Sequence, residues 1–128
     1  MAGTSRDTKA LVMAALKVSL PDVQVVSSIP YANGDPPGPL VLVIATGGQG
    51  QHQRVLSTGQ VTIDSFAPTT GQAMRLALRV DAAVNALVAG RDWPVTKVTG
   101  NAPSESPDPT ITAARATATY QITTRNQP

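Results

Sequence analysis

The sequence contains no cysteine and one histidine, and its aromatic residues are a single tryptophan, a single phenylalanine and two tyrosines. Without cysteine there are no disulfides, thiolate metal sites or cysteine nucleophile, while the redox compartment stays open. The lone histidine, His52, has no second histidine with which to complete a zinc site, and it sits among glutamines, where imidazole is usually solvated. Aromatics at 3% require an aliphatic core and leave few rings on which nucleic-acid bases could stack. Charge is scarce as well, at 14% of residues, and ten basic against eight acidic side chains give a net +2. A dedicated nucleic-acid binder needs a broader positive field than that. The N-terminal stretch MAGTSRDTKALVMAAL carries Arg6, Asp7 and Lys9 ahead of a short apolar patch that Lys17 then interrupts. It reads as neither a signal peptide nor a membrane span.

What is present fits one domain over residues 1–128, long enough to bury roughly two-thirds of the surface of the unfolded chain. The clearest pattern runs from Val61 to Gly90. Val61, Ile63 and Ser65 alternate with Thr62, Asp64 and Phe66, the period of a half-buried strand. Pro68 interrupts it, and the hydroxyl of Thr69 or Thr70 is placed to cap a helix. Ala73, Leu76, Ala77, Val80, Val84, Leu87 and Val88 then recur at spacings of three and four, with Gly90 as the expected C-terminal cap.

The remaining elements follow from the same rules. Residues 5 to 18 read as a first helix with a Thr4–Asp7 capping box, ended by Pro21. Val23 to Ser28 reads as a strand, Ile29 to Pro39 as a proline-rich loop, and the wholly apolar Leu40 to Thr46 as a strand covered on both faces. Gly47 to Gly59 is either a mobile loop or a long, irregular hairpin connection. Val95 to Thr99 is a short strand, Gly100 to Pro109 a second loop, and Thr110 to about Arg125 a long strand with Ala114, Ala116, Ala118, Tyr120 and Ile122 on one face. The order helix, three strands, helix, two strands predicts an α+β fold, a mostly antiparallel sheet of about five strands with both helices on one side.

The chemistry-bearing residues are dispersed. Gly47, Gly48 and Gly50 follow an apolar strand but match neither G-x-G-x-x-G nor the P-loop pattern, which weighs against a small nucleotide-binding module. No serine sits in a nucleophile elbow, and Asp64, Asp81, Asp92, Glu105 and Asp108 form no pair spaced for acid–base work. Glu105 and Asp108 share a loop that could hold a divalent ion through water, although a solvated loop is the plainer reading. Arg54, Arg75, Arg79, Arg91, Lys97, Arg115 and Arg125 come from several elements and make no linear basic motif. In a ring each would be repeated about the axis.

The segments VTIDSFAPTTGQAMRLALRVDAAVNAL and PTITAARATATYQITTR, with LPDVQVVSSIP behind an N-terminal helix, resemble the tail-terminator proteins of long-tailed bacteriophages, especially those infecting actinobacteria. The resemblance is one of pattern and covers essentially the full length. It implies a non-enzymatic minor tail protein that forms a hexameric ring on the head-proximal end of the tail tube, stops tube polymerisation and offers the head a joining surface. It implies no cofactor, metal or membrane. The implied partners are further copies of the chain, the major tail tube protein and a head-closure or connector protein, with DNA only passing through the channel. The implied location is the virion, after assembly in the host cytoplasm. The loop between the second and third strands, here Gly47 to Gly59, is the segment by which such proteins commonly touch neighbours or the tube. The expected interface residues are Gln49, Gln51, His52, Arg54, Arg75 and Arg79, and the expected channel-facing residues are Arg54 and Arg115. A head-closure or connector adaptor is the alternative role.

Overall fold

A computed structural model describes residues 4–28, 39–52, 55–90, 92–107 and 113–127. The fold is α+β. Helices α1 (Thr8–Ser19) and α2 (Thr70–Asn85) accompany strands β1 (Gln24–Val26), β2 (Leu40–His52), β3 (Leu56–Ala67), β4 (Val95–Gly100), β5 (Ser104–Glu105) and β6 (Ala114–Arg125). The strands lie in the order β1-β2-β3-β6-β4, with β5 pairing the other half of β6. Only β1 and β2 run parallel; the remaining pairings are antiparallel.

β3 and β6 form the centre of the sheet, matched without a break from Leu56↔Arg125 to Ala67↔Ala114. Because side chains alternate along a strand, this register puts Val61, Ile63, Ala118, Tyr120 and Ile122 on one face. Val41 and Val43 of β2 join them there, and Val12, Ala15 and Leu16 of α1 and Leu76, Val80 and Val84 of α2 complete the core. Both helices therefore pack on the same side. Each of the larger side chains gains about 1.5–3 kcal/mol by leaving water. A smaller cluster of Ala67, Ala73, Ala77 and Ala116 lets α2 approach the sheet closely at its N-terminal end.

The opposite face carries no helix among the described residues. Leu40, Leu42 and Phe66 form a separate buried group there, with Val26 against it. Beyond that group the face is polar, with hydroxyls paired across β3 and β6: Thr58 with Thr123 and Thr62 with Thr119, each at 2.9 Å.

Several boundaries differ from expectation for identifiable reasons. Helix α1 starts at Thr8, and its cap is Asp7, whose carboxylate accepts from the Ala10 amide at 3.0 Å. Thr4 is instead bridged to Gln127 through the backbone, so the expected capping box does not form. Thr69 caps α2 as the sequence indicates, accepting from the Gln72 amide at 3.2 Å. The helix ends at Asn85, not at Gly90. The following turns tighten, with Leu87 N–H donating to Val84 at 3.2 Å, which carries Leu87 into the core and leaves Val88 43% exposed. Among the residues of β2 whose burial is described, Leu40 to Val43 are the buried ones, so the strand is covered on both faces for part of its length. The predicted loop at Gly47 to Gly59 is a hairpin, with β2 running on to His52 and β3 starting at Leu56. The segment after β4 is not all loop, since Ser104 and Glu105 pair with Thr117 and Ala116. The expected loop at 29–38 and the start of the last strand at 110–112 lie outside the described residues.

Candidate functional site

The β2–β3 hairpin holds three of the six expected interface residues, Gln49, Gln51 and His52. Its register slips twice, between Ala45 and Gly47 and between Gly47 and Gly50, so β2 carries extra residues opposite a continuous β3. Such bulges bend and twist a strand. Gly47, Gly48 and Gly50 all have positive φ, the region that side chains with a Cβ rarely enter. At Gly48 the demand is also steric, because a Cβ there would lie 2.6 Å from the Thr58 carbonyl oxygen.

The hairpin is held near its turn by the two ends of the described chain. Arg6 Nε donates to the Arg125 carbonyl at 2.6 Å, and the Asn126 amide donates to Val55 at 2.7 Å. The Ser57 hydroxyl is bonded to Ser5 and to Asn126 Oδ1. Gly59 allows this arrangement, since a Cβ there would collide with the Thr8 side chain. Between the start of α1 and the hairpin lies an open cleft of about 340 Å³ lined by residues that include Thr8, Lys9, Gly47, Gly50 and Gln60.

Gln49, Gln51 and His52 all fall in β2; Gln51 is exposed and opposite Ser57, and His52 is opposite Leu56. Arg54 lies outside the described residues. Arg75 and Arg79 belong elsewhere. They line an open groove of about 460 Å³ with Pro39, Ala67, Pro68, Gln72 and Leu76. This is the far end of β2 from His52, about 33 Å away along the continuous β3 at ~3.3 Å per strand residue. The hairpin residues and the helix arginines are therefore two surfaces, not one.

The arginines also differ in state. Arg79 makes a bidentate contact to Asp22, at 2.8 and 3.1 Å. Hydrogen bonding to that guanidinium holds the Asp22 carboxyl below its usual range. Arg75 is exposed. Arg115 stands on the polar face of the sheet, where it donates to the Ser106 carbonyl at 2.7 Å and to the Ser106 hydroxyl at 3.2 Å. The carboxylate of Asp64 is 4.0 Å from its guanidinium. Its charge is turned largely toward protein partners.

The residues weighed for chemistry stay apart. Among the described residues no three histidine, aspartate or glutamate side chains gather closely enough to hold a metal ion. Glu105 sits in β5, and Asp108 lies outside the described residues. Sequence reasoning missed the contact of Tyr120 with Asp81, where the buried phenol donates to the carboxylate at 2.7 Å across the helix–sheet interface. The only available signal was a tyrosine on the otherwise aliphatic face of the last strand. Among the described residues no helix is long and apolar enough to cross a membrane. No protein-family model matches the chain, and no curated protein matches it.

Proposed function

We propose that this chain is a structural subunit of a phage tail terminator. Copies form a closed ring, with six subunits as the expected number, on the head-proximal end of a tail tube, end the growth of that tube and present the surface to which the head is joined. The work is done by surfaces and not by catalysis. The partners are further copies of the chain, the tube protein and a head-closure protein, with DNA passing through the ring. The protein is assembled in the host cytoplasm and resides in the virion.

The observation that carries this reading is the β2–β3 hairpin. From Ile44 to Gly48, and again at Gly50 and Gln51, β2 is exposed, and no charged residue occurs from Val43 to Gln51. A strand that runs beyond its covered part and is shaped by three glycines supports contact with another protein along its exposed stretch. It occupies the segment that, by the resemblance of the sequence, meets neighbouring subunits or the tube. The arginines of α2 and the polar face around Arg115 are then secondary surfaces, available to the other partners.

The test is a deletion in a phage that carries this gene, examined by electron microscopy. A terminator predicts tails of uncontrolled length beside normal, DNA-filled heads. Tails of normal length that fail to join heads would assign the chain to the connector role instead. In a purified system, adding the protein to polymerising tube subunits is expected to shorten the tubes in proportion to its concentration.

A further inference from the structure

We propose that the polar face of the sheet, the one opposite both helices, lines the channel of the ring and is the surface along which double-stranded DNA slides. This rests on the ring-forming reading above and names the face that meets the DNA. Strand alternation fixes which residues belong to it. Thr58 and Thr62 of β3 meet Thr123 and Thr119 of β6 through their hydroxyls, so Gln60, Gln121 and Arg125 fall on the same face. The pairing of β4 adds Lys97 opposite Thr123 and Thr99 opposite Gln121. On the other flank the Thr46 hydroxyl accepts from Gln60 at 3.1 Å. Thr46, Lys97, Thr99, Gln121 and Arg125 are all exposed.

Where solvent reaches this face, its charge has one sign. Two acidic residues occur in the described strands. Glu105 falls on the helix side, opposite Ala116, and Asp64 is 8% exposed with its carboxylate 4.0 Å from Arg115. Lys97 and Arg125 are diagonal neighbours across β4 and β6, about 7–8 Å apart at the backbone, and neither has a carboxylate partner among the described residues. Such a pair meets phosphate however the duplex is turned, because DNA carries a negative charge every ~1.7 Å of its axis. The hydroxyls and amides around the pair can bond phosphate oxygens without reading sequence. A protein partner is poorly served here, since interfaces centre on apolar and aromatic side chains. Val18, 75% exposed, and Leu78, 52% exposed, stand on the helices, whereas the sheet face offers Ile44 at 37%. Two exposed cations per copy are too few to hold DNA tightly, which suits a surface that DNA must pass.

The test has two arms. In the first, the purified protein is titrated against a fluorescent DNA duplex of mixed sequence between about 50 and 200 mM salt. Weak, sequence-independent binding that declines with salt is expected. Lys97→Gln and Arg125→Gln are each expected to weaken it at least about threefold and to lower the log–log salt slope by about one. Lys17→Gln, on the exposed side of α1, is expected to bind as wild type does. Circular dichroism verifies that each variant is folded. In the second arm, a photo-crosslinking phenylalanine derivative replaces Gln121, or Leu78 as the contrasting site, in a phage carrying the gene, and virions are irradiated at rest and during ejection. The probe at Gln121 is expected to give a nuclease-sensitive adduct to DNA and the probe at Leu78 none. No binding at the lowest salt, an equal loss in Lys17→Gln, or an adduct at Gln121 to protein alone overturns the DNA-facing assignment and leaves the ring reading standing. Virions that do not contain the chain overturn both.

Discussion

The hydroxyl of Tyr120, on β6, donates to Oδ1 of Asp81, on α2, at 2.7 Å, so a polar clamp fastens the central strand to the helix above it. Tyr120 is 1% exposed, and Gly100 on the neighbouring strand leaves room for its ring, since a Cβ there would lie 2.6 Å from Tyr120 Cδ1.

Tyr120→Phe keeps the ring and removes the clamp. A hydrogen bond to a charged group contributes about 1.5–3 kcal/mol. Urea unfolding is expected to show a loss of that order, as a lower midpoint with an unchanged slope.

The same residue sets an alkaline limit. Burial, followed by hydrogen bonding to Asp81, raises the Tyr120 phenol above its ordinary range. A group whose folded pKa is raised stabilises the protein fully below its unfolded value, about 10 for tyrosine. That contribution is lost as pH climbs from there toward the folded value. Stability measured across alkaline pH is expected to fall in wild type and to fall less steeply in Tyr120→Phe, and the ultraviolet signal of Tyr120 ionisation is expected to coincide with unfolding.

Asp22 and Arg79 are both solvent-facing, and their pair has a local effect. Asp22 is held low, so its contribution is present above the usual carboxylate range and fades as pH falls through the lowered folded value. Proton-detected titration of the Asp22 carboxyl is expected to move up toward the ordinary range in Arg79→Met, with the backbone hydrogen bond at Asp22 still holding it down in part. Thermal unfolding of that variant is expected to stay close to wild type, as is usual for exposed pairs.

Glycine at 48 is required by conformation and space together. Gly48→Ala meets a φ of +119° and the Thr58 carbonyl. Strain of this kind costs on the order of 1–3 kcal/mol. Hydrogen exchange is expected to rise along β2 and β3 near the bulge, while α2 stays protected. Gly71→Ala is the contrasting case, in a helix and with Arg75 Nη1 3.6 Å away. It is expected to stabilise by about 0.5–1 kcal/mol.

What could be read from the sequence was what depends on near neighbours in the chain. The stripe of Ala73, Leu76, Ala77, Val80 and Val84 and the Thr69 cap are set within a few turns of helix, and the alternation from Ala116 to Ile122 within one strand. What escaped depends on partners distant in sequence. β5 is two residues long and exists because β6 offers it an edge, and β1 runs parallel because β2 returns alongside it. By propensity Gly47, Gly48 and Gly50 are strand breakers and suit a loop as well as a hairpin, whereas here they shape bulges in a paired strand. Gln49, Gln51 and His52 fall on one strand by contiguity. Nothing local indicates that Arg79 pairs with Asp22, or that Arg115 is held by Ser106 and faces Asp64.

The unbroken pairing of β3 with β6 also bears on how the chain is made. Its partners are separated in sequence by the whole of α2, β4 and β5, so the centre of the sheet has no local route to formation. During synthesis β3 leaves the ribosome with Val61 and Ile63 uncovered on one side until residues 114–125 follow. Domains that rely on such distant contacts fold slowly and expose unpaired strands in the interval. Until then the β2–β3 hairpin lacks its β6 partner, and slower delivery of the last strand is expected to lower the folded yield.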